Sequence, residues 1–429
     1  LMFDKEKQYF PKTTDPQCQL KWNWSTLWLT QGTTNSCHRC LKVPIDPDNF
    51  DDFHNHPHKI KEREIMLSGK WPTKENGGSG HCTYCKDIED QGKGSDRLQM
   101  LAIPNQFPKE LLDDPKATRV TPKILEIFLN DTCNMKCTYC NTRDSSQWKA
   151  EARKHGPLTY LSGDPVTGTE TVKKHNLHQY FFKKTLQYIE KKGNELTRLH
   201  LLGGETFYQN ELLEVLDSLA TLKNRNLQLN IVSNCMVEED RFNLVIEKIK
   251  KLIMDKNIGR FDLTGSIDGW GPEAEYARTG LDCEHFEKMF LHAVKHKWMT
   301  LAIEQTVSLM TIKSMQPLIK KIKDWRKINK KLNQRFELVA QPGPKELQYF
   351  HPRVMGNKFW KQDIKNILDE MPMDTTIDHE SKRYMEGCFL AITNDDIMQD
   401  TFKETKHIFG QLDARRGTNW KKVFPYLNF

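Results

Sequence analysis

No apolar run in this chain of 429 residues approaches the roughly 18 needed to cross a bilayer, so no membrane embedding is expected. The first residues lack a basic segment leading into an apolar one, and no signal peptide is expected there. A long block of one charge is missing too. The 64 basic and 57 acidic residues leave a net charge of +7 spread along the chain, which reads as a solvated surface before a nucleic-acid footprint. Cysteine is not scarce, with 11 residues. A disulfide framework belongs to a small secreted domain, and this chain is neither small nor visibly secreted. The thiols therefore read as metal ligands in a reducing, cytoplasmic compartment. With 37% apolar content, the length suffices for two domains with cores of their own.

Eight cysteines fall between Cys18 and Cys140, and all of them except Cys18 belong to C-x2-C or C-x3-C-x2-C units. Cys235, Cys283 and Cys388 stand alone and read as buried thiols. The densest unit is Cys133, Cys137 and Cys140, in the run 129–141 directly after an apolar, strand-like segment. Three thiolates can hold three irons of a cubane cluster and leave the fourth open. Clusters used only for electron transfer take four cysteines, and zinc prefers paired C-x2-C units. The next cysteine downstream is Cys235, so neither alternative closes locally. An open iron is a place for chemistry.

From about residue 119, short β-branched or apolar runs alternate with amphipathic helical stretches. Strands are expected over 123–130, 196–202, 227–233, 259–267, 301–309 and 336–340, with helices over 211–223, 239–255 and 312–329 among them. Six strand–helix units imply an α/β fold with a parallel sheet. Right-handed crossovers would close it into a full or partial barrel. The stretch 144–177 is rich in Gly, Thr and Lys, and reads as a lid or as a solvated insertion. Residues 1–118 carry turn formers, five cysteines and clustered Trp and His, with little periodicity. Beyond residue 343, helical patterning over 358–370 and 400–411 reads as a C-terminal extension.

Barrel enzymes build their sites at the carboxyl ends of strands. The second expected strand runs into Gly203-Gly204-Glu205, where glycines admit close backbone approach and a carboxylate can accept from an ammonium. The third ends in Ser233-Asn234, which alone is an ordinary turn. The fourth ends Ser266-Ile267-Asp268-Gly269 and is followed by Arg278; Asp268 reads equally as a helix N-cap. The fifth carries Thr306-Val307-Ser308, letters that any β-branched core strand supplies.

The C-x3-C-x2-C spacing, with Tyr139 before its last cysteine and Asn141 after it, resembles the signature of the radical S-adenosylmethionine superfamily. The resemblance implies a partial (β/α)6 TIM-like barrel over 119–343. It also implies a [4Fe-4S] cluster on Cys133, Cys137 and Cys140 that binds and reductively cleaves S-adenosylmethionine. Gly203, Gly204 and Glu205 match the motif that meets the methionine amino group. Ser233 and Asn234 match the ribose-contacting position, and Ser266, Asp268 and Arg278 match a sequence frequent in peptide-modifying members, in which the Arg pairs with the methionine carboxylate. Val307 matches the apolar residue that packs on adenine, and Tyr139 belongs to the cofactor-binding loop.

Upstream, Cys18-x13-Gly32-x4-Cys37 resembles the start of the auxiliary-cluster module known as SPASM or twitch, and 72–97 resembles its end. Such modules usually follow the barrel; here the similarity precedes it. The resemblance implies one auxiliary [4Fe-4S] cluster on Cys18, Cys37, Cys82 and Cys85, with Cys40 as the alternative ligand. A zinc knuckle of Cys37, Cys40, Cys82 and Cys85 fits the paired spacing as well. His38, His54, His56, His58 and His81 read as solvated, and Trp22, Trp24 and Trp28 as a small core. The stretch Leu412-Asp-x-Arg-Arg-Gly-Thr-x-Trp is similar to sequences in twitch-bearing radical proteins of phages and marine bacteria.

The function implied is hydrogen abstraction from a peptide or protein substrate, giving a cross-link, dehydrogenation or epimerisation, with flavodoxin or ferredoxin as external electron donor. Cys235 or Cys388 could serve as hydrogen donor in epimerisation, although a buried inert thiol is the plainer reading of each. A radical enzyme acting on a small molecule or nucleotide is the second reading. A non-catalytic, metal-stabilised nucleic-acid-binding protein is the third, and a nucleic-acid partner is not expected.

Overall fold

Leu227, Leu229, Ile231 and Ser233 alternate with Gln228, Asn230 and Val232, and the chain there is extended with the first set fully buried. The same period of two recurs over Leu332–Leu338, whereas Ile258–Ser266 buries five residues in a row, as a strand covered on both faces does. The computed structural model describes residues 16–92, 95–98, 117–339, 348–390, 392 and 394–428. Its strands are β1 (Trp24–Trp28), β2 (Thr33–Asn35), β3 (Val43–Pro44), β4 (Ile124–Phe128), β5 (Lys136–Cys137), β6 (Arg198–Leu202), β7 (Asn224–Ser233), β8 (Ile258–Ser266), β9 (Arg278–Thr279), β10 (Thr300–Val307) and β11 (Leu332–Leu338).

Nine of them form one sheet in the order β11-β10-β8-β7-β6-β4-β1-β2-β3. The fold is α/β with a large, mostly parallel central sheet: β1 and β4, β8 and β10, and β10 and β11 pair parallel, whereas β1, β2 and β3 pair antiparallel. From β4 to β11 the neighbours follow chain order, apart from the two-residue strands β5 and β9, which pair antiparallel with each other. Helices fill the connections, among them Glu211–Leu219, Glu239–Met254 and Ile312–Ile328, each burying one apolar stripe. Strands β7 and β11 begin several residues before their apolar runs do. Their leading residues Asn224-Arg-Asn and Leu332-Asn-Gln-Arg are mostly polar, so apolar content alone hides them.

Two compact units make up the described chain. The first comprises the described residues of Leu1–Leu129, with His175–His200 and Thr221–Gln228; the second comprises Asn130–Lys174, Leu201–Ala220 and the described residues of Leu229–Phe429. In the first unit, β1 lies parallel to β4 in register, from Trp24 opposite Ile124 to Trp28 opposite Phe128. Of the three N-terminal strands, β1 falls in the run where Trp22, Trp24 and Trp28 alternate with polar residues, whereas β2 and β3 are parts of the sheet that sequence periodicity did not reveal. Trp22 and Trp24 pack with Leu20, Met66, Ile124 and Cys18 as a small core.

The helix Pro57–Leu67 starts with Pro57 in its first turn and has His56 as its cap, accepting from the His58 N–H. Its buried face is Lys59, Glu62, Arg63 and Met66, a helical stripe that is mostly charged. Arg63 donates to the carbonyls of Lys21 (2.8 Å), Thr118 (2.7 Å) and His54 (2.9 Å), and Lys59 to the hydroxyls of Thr34 (2.8 Å) and Ser25 (3.0 Å).

In the second unit, the helices Gly356–Glu370, Thr376–Leu390 and Gln399–Arg416 follow the sheet, and Phe350, Phe409, Phe424 and Tyr276 share one core with Val307 and Met315. Among the described residues no helix is long and apolar enough to cross a membrane.

Candidate functional site

The loop after β4 carries Cys133, Cys137 and Cys140. The Cys133 N–H donates to the Ser146 hydroxyl (3.1 Å), which donates back to the Cys133 carbonyl (3.2 Å), so the N-terminal turn of the helix Ser146–His155 anchors the first thiol. Cys137 lies on β5, opposite Arg278 on β9. Trp148 Nε1 donates to the Cys137 carbonyl at 2.7 Å, and the Thr138 N–H to the Ala277 carbonyl at 2.7 Å. The thiols feel one another. Burial, then the charge of Cys137, pushes Cys133 up to about 12, and burial pushes Cys140 well above the ordinary thiol range. Burial also raises Cys137, against the pull of Arg278.

Around this loop the strand ends converge. Gly204 N–H donates to the Asn130 carbonyl and Glu205 N–H to the Thr132 carbonyl, both at 2.9 Å. A Cβ on Gly204 would stand 2.5 Å from the Thr132 oxygen and 2.6 Å from that of Asp131, so only glycine permits this approach. The buried Glu205 carboxylate accepts from Ser233 Oγ (2.7 Å), the Asn234 N–H (2.6 Å) and the Phe207 N–H (2.9 Å). Burial raises its pKa, and those hydrogen bonds oppose the rise. Asn234 Nδ2 reaches Asn134 Oδ1 at 2.9 Å, tying the end of β7 to the cysteine loop.

Asp268 is fully buried and accepts from Tyr139 Oη (2.5 Å), Arg278 Nη2 (2.9 Å) and the Thr306 N–H (2.9 Å). It does not cap the following helix, whose N-cap is Gly271. Arg278 is itself buried, and its Nε has no hydrogen-bond partner among the described residues. An unpaired buried guanidinium nitrogen beside Cys137 is a donor awaiting an acceptor. Ser266 ends β8 opposite Glu304, and Val307 sits in the apolar core with Leu309 and Met315. Cys235 is buried with a left-handed backbone (φ 56°) and donates its N–H to Ser233 Oγ at 3.0 Å.

The first unit gathers the other five thiols. Cys37 Sγ and Cys40 Sγ are 3.1 Å apart, and Cys40, Cys82 and a carboxylate oxygen of Glu62 lie within 4.8 Å of one another. Cys40 is the middle of the group: hydrogen bonds from Cys37 and Cys82 hold its pKa well below the thiol range despite burial, with Lys21 adding to the effect. Cys18 lies in the adjoining core, where burial pushes it up to about 11 against the pull of Arg97. Burial raises Cys85 as well. Lys21 bridges to Glu62, both buried, and Glu62 also accepts from Ser79 Oγ at 2.6 Å. Arg97 forks onto Glu89 with two contacts of 2.7 Å.

Glu62 carries no signal in the sequence, standing between the two cysteine pairs, whereas Lys21 stands three residues after Cys18 and Arg97 closes the tail of the stretch 72–97. A second acidic centre was missed outright: Glu126 on β4 is fully buried, accepts from Thr26 Oγ1 (3.0 Å) and lies 2.9 Å from His38 Nε2 and 3.1 Å from His200 Nδ1. The histidines of 38–81 are not uniformly solvated either. His54 is buried, with Ser25 Oγ at 2.8 Å and the Trp22 carbonyl at 2.9 Å.

No protein-family model matches this sequence, and no curated protein matches it. The assignment of a function rests on the residues themselves.

Proposed function

We propose that this chain is a radical S-adenosylmethionine oxidoreductase, with a partial (β/α)6 barrel carrying the cofactor site. Its N-terminal twitch-like module would hold one auxiliary [4Fe-4S] cluster, and its substrate would be a peptide or protein that it cross-links, dehydrogenates or epimerises. The observation that carries the reading is the pinning of the C-x3-C-x2-C loop, by the pairing of β5 with β9, beside an arginine whose Nε has no partner. When bound, the cluster and S-adenosylmethionine supply a one-electron cleavage that yields the 5′-deoxyadenosyl radical.

The protein's part is to hold and orient. Cys133, Cys137 and Cys140 are the ligand set, and since burial keeps all three protonated, metal binding must release their protons. Arg278, steadied by Asp268 through Nη2, offers its Nε–H to a carboxylate as a charge-assisted hydrogen bond. Glu205 keeps lone-pair capacity beyond its three hydrogen bonds and suits an ammonium. Ser233, Asn234 and Ser266 add small polar side chains at strand ends. In the N-terminal unit, four of Cys18, Cys37, Cys40, Cys82 and Cys85 complete a closed centre, and Lys21 and Arg97 offset its negative charge. A radical substrate that must lose an electron needs such an acceptor.

The test is anaerobic iron and sulfide quantitation, with EPR and 5′-deoxyadenosine release under dithionite, on the wild type and a Cys133/Cys137/Cys140 triple Ala variant. About eight irons, falling to about four with loss of release, is the expected result. About four irons with bound zinc would replace the auxiliary cluster by a zinc knuckle. Absence of cleavage by iron-loaded wild type would overturn the radical assignment and leave a metal-stabilised binding protein.

A further inference from the structure

The stretch 412–420 near the C-terminus has no part in the chemistry above, yet its side chains converge on the cysteine loop. Arg416 is the last residue of the helix Gln399–Arg416, which stops at Gly417 in the left-handed conformation (φ 68°). Its guanidinium is buried and almost fully used. Nε and Nη2 each meet a Glu151 oxygen at 3.1 Å, while Nη1 donates to the Lys136 carbonyl at 3.0 Å and to Thr279 Oγ1 at 3.1 Å. Lys136 is on β5 and Thr279 on β9, so one side chain binds both strands of the ribbon in which Cys137 faces Arg278. The same guanidinium lies 4.9 Å from the centroid of Trp148, whose Nε1 holds the Cys137 carbonyl.

Asp413, one turn earlier, reaches the same ribbon from its other end. It accepts from Tyr276 Oη (3.0 Å), Thr418 Oγ1 (2.6 Å) and the Trp420 N–H (2.8 Å). The carbonyls of Tyr276 and Ala277 in turn accept from Thr138 Oγ1 (3.2 Å) and the Thr138 N–H (2.7 Å). Residue 138 lies between two of the three thiols.

We propose that the 412–420 segment is a latch that positions the three-thiol loop, with Arg416 and Asp413 as its positioning residues, so that Cys137 and Arg278 are held as one rigid pair. Glu151 fits the role: burial would raise its pKa, but Arg416 and Lys136 outweigh burial and hold it below the usual carboxylate range, a charged partner for the fork. A lysine at 416 would keep the charge and lose the second strand.

The latch is tested on the full chain without iron, by hydrogen exchange at the Thr138 and Cys140 amides, with the Cys18 amide alongside, in wild type, Arg416→Lys, Arg416→Gln and Asp413→Asn. Arg416→Gln is expected to speed exchange at Thr138 and Cys140 on the order of tenfold, the scale of a lost charged hydrogen bond. Arg416→Lys should fall between it and wild type, and Asp413→Asn should act mainly on Thr138. Cys18, in the other unit, is the internal control and should not change. A folded Arg416→Gln chain whose faster exchange is confined to 399–428 would overturn the latch. Should that variant not fold, Asp413→Asn with an unchanged Thr138 amide would do the same. Only the consequence for catalysis rests on the radical reading: with iron restored, 5′-deoxyadenosine released per cluster should fall in Arg416→Gln while iron per chain does not. Failure of wild type to cleave the cofactor would sink the radical reading and leave the exchange result to decide the latch.

Discussion

The two cysteine regions solve opposite problems. The three-thiol loop leaves polar capacity unspent: among the described residues the buried Arg278 Nε has no hydrogen-bond partner. The five-thiol region is compensated from within, with Lys21 against Glu62, Arg97 against Glu89, and Cys40 drawn down by its neighbours. An under-satisfied site suits a ligand that comes and goes. A satisfied one suits a resident centre.

The largest effect should separate the two regions by chemistry. On the proposed radical reading, Cys137→Ala is expected to abolish 5′-deoxyadenosine release while a metal bound by the N-terminal unit remains. Cys82→Ala should do the reverse, stripping that metal and sparing cofactor cleavage. Metal analysis and product assay on both variants check it, and a single variant that loses both would break the comparison.

The next effect tests internal compensation. Lys21→Ala leaves the buried Glu62 carboxylate with only His58 at 3.4 Å and the Ser79 hydroxyl beside it, which should cost on the order of 3 kcal/mol in urea unfolding. Lys149→Ala in the other unit should cost clearly less, since Asp131 keeps Lys174 at 3.0 Å and that side chain reaches solvent. Equal losses would mean that the two units carry charge in the same way. A smaller effect concerns backbone fit beside the three-thiol loop. In Gly204→Ala the new methyl meets two carbonyl oxygens that cannot rotate away, so the 131–133 turn must shift at about 1–3 kcal/mol. Thermal unfolding reads that loss, and 5′-deoxyadenosine release should fall with it.

The regions also differ in what their sequence disclosed. Cys133, Cys137 and Cys140 were legible because ligand spacing is local and the strand before them is a plain apolar run; Glu205, Ser233 and Asp268 followed once the strand ends were placed. In the N-terminal unit the informative partners are distant in sequence and polar. The helix Pro57–Leu67 buries Lys59, Glu62 and Arg63, an inversion of the pattern by which helices are recognised. Strand β1 has the right alternation but only five residues, and its partner β4 lies 100 residues on. Glu126 is one polar letter inside an apolar strand, which gives no sign that it is the meeting point of His38 and His200. Arg416 was visible as a motif without a place, because hydrogen bonds from a chain terminus to a loop leave no periodic trace.

The smallest effect sets two buried glutamates against each other. Burial would raise Glu126, but hydrogen bonds and charge from His200 and His38 hold it well below the carboxylate range, whereas burial raises Glu205 against its hydrogen bonds. A carboxylate with a depressed folded pKa contributes stability that is present above its unfolded value near 4.5 and is lost as pH falls through the folded one. A raised one behaves oppositely: its contribution is complete below 4.5 and is lost as pH climbs through the folded value. Glu126→Gln should therefore flatten the acid limb of the stability curve below pH 4.5, by on the order of 1 kcal/mol, because His38 is well exposed and its field is screened. Glu205→Gln should flatten the curve above pH 4.5 instead. Urea unfolding at half-unit steps from pH 3 to pH 7 distinguishes them (~3–7, spanning the ordinary carboxylate and imidazole ranges). If both substitutions act above 4.5, the buried acid of the N-terminal unit is not compensated by its histidines; if both act below it, Glu205 is not raised by burial, and in either case the contrast between the two regions fails at its most sensitive point.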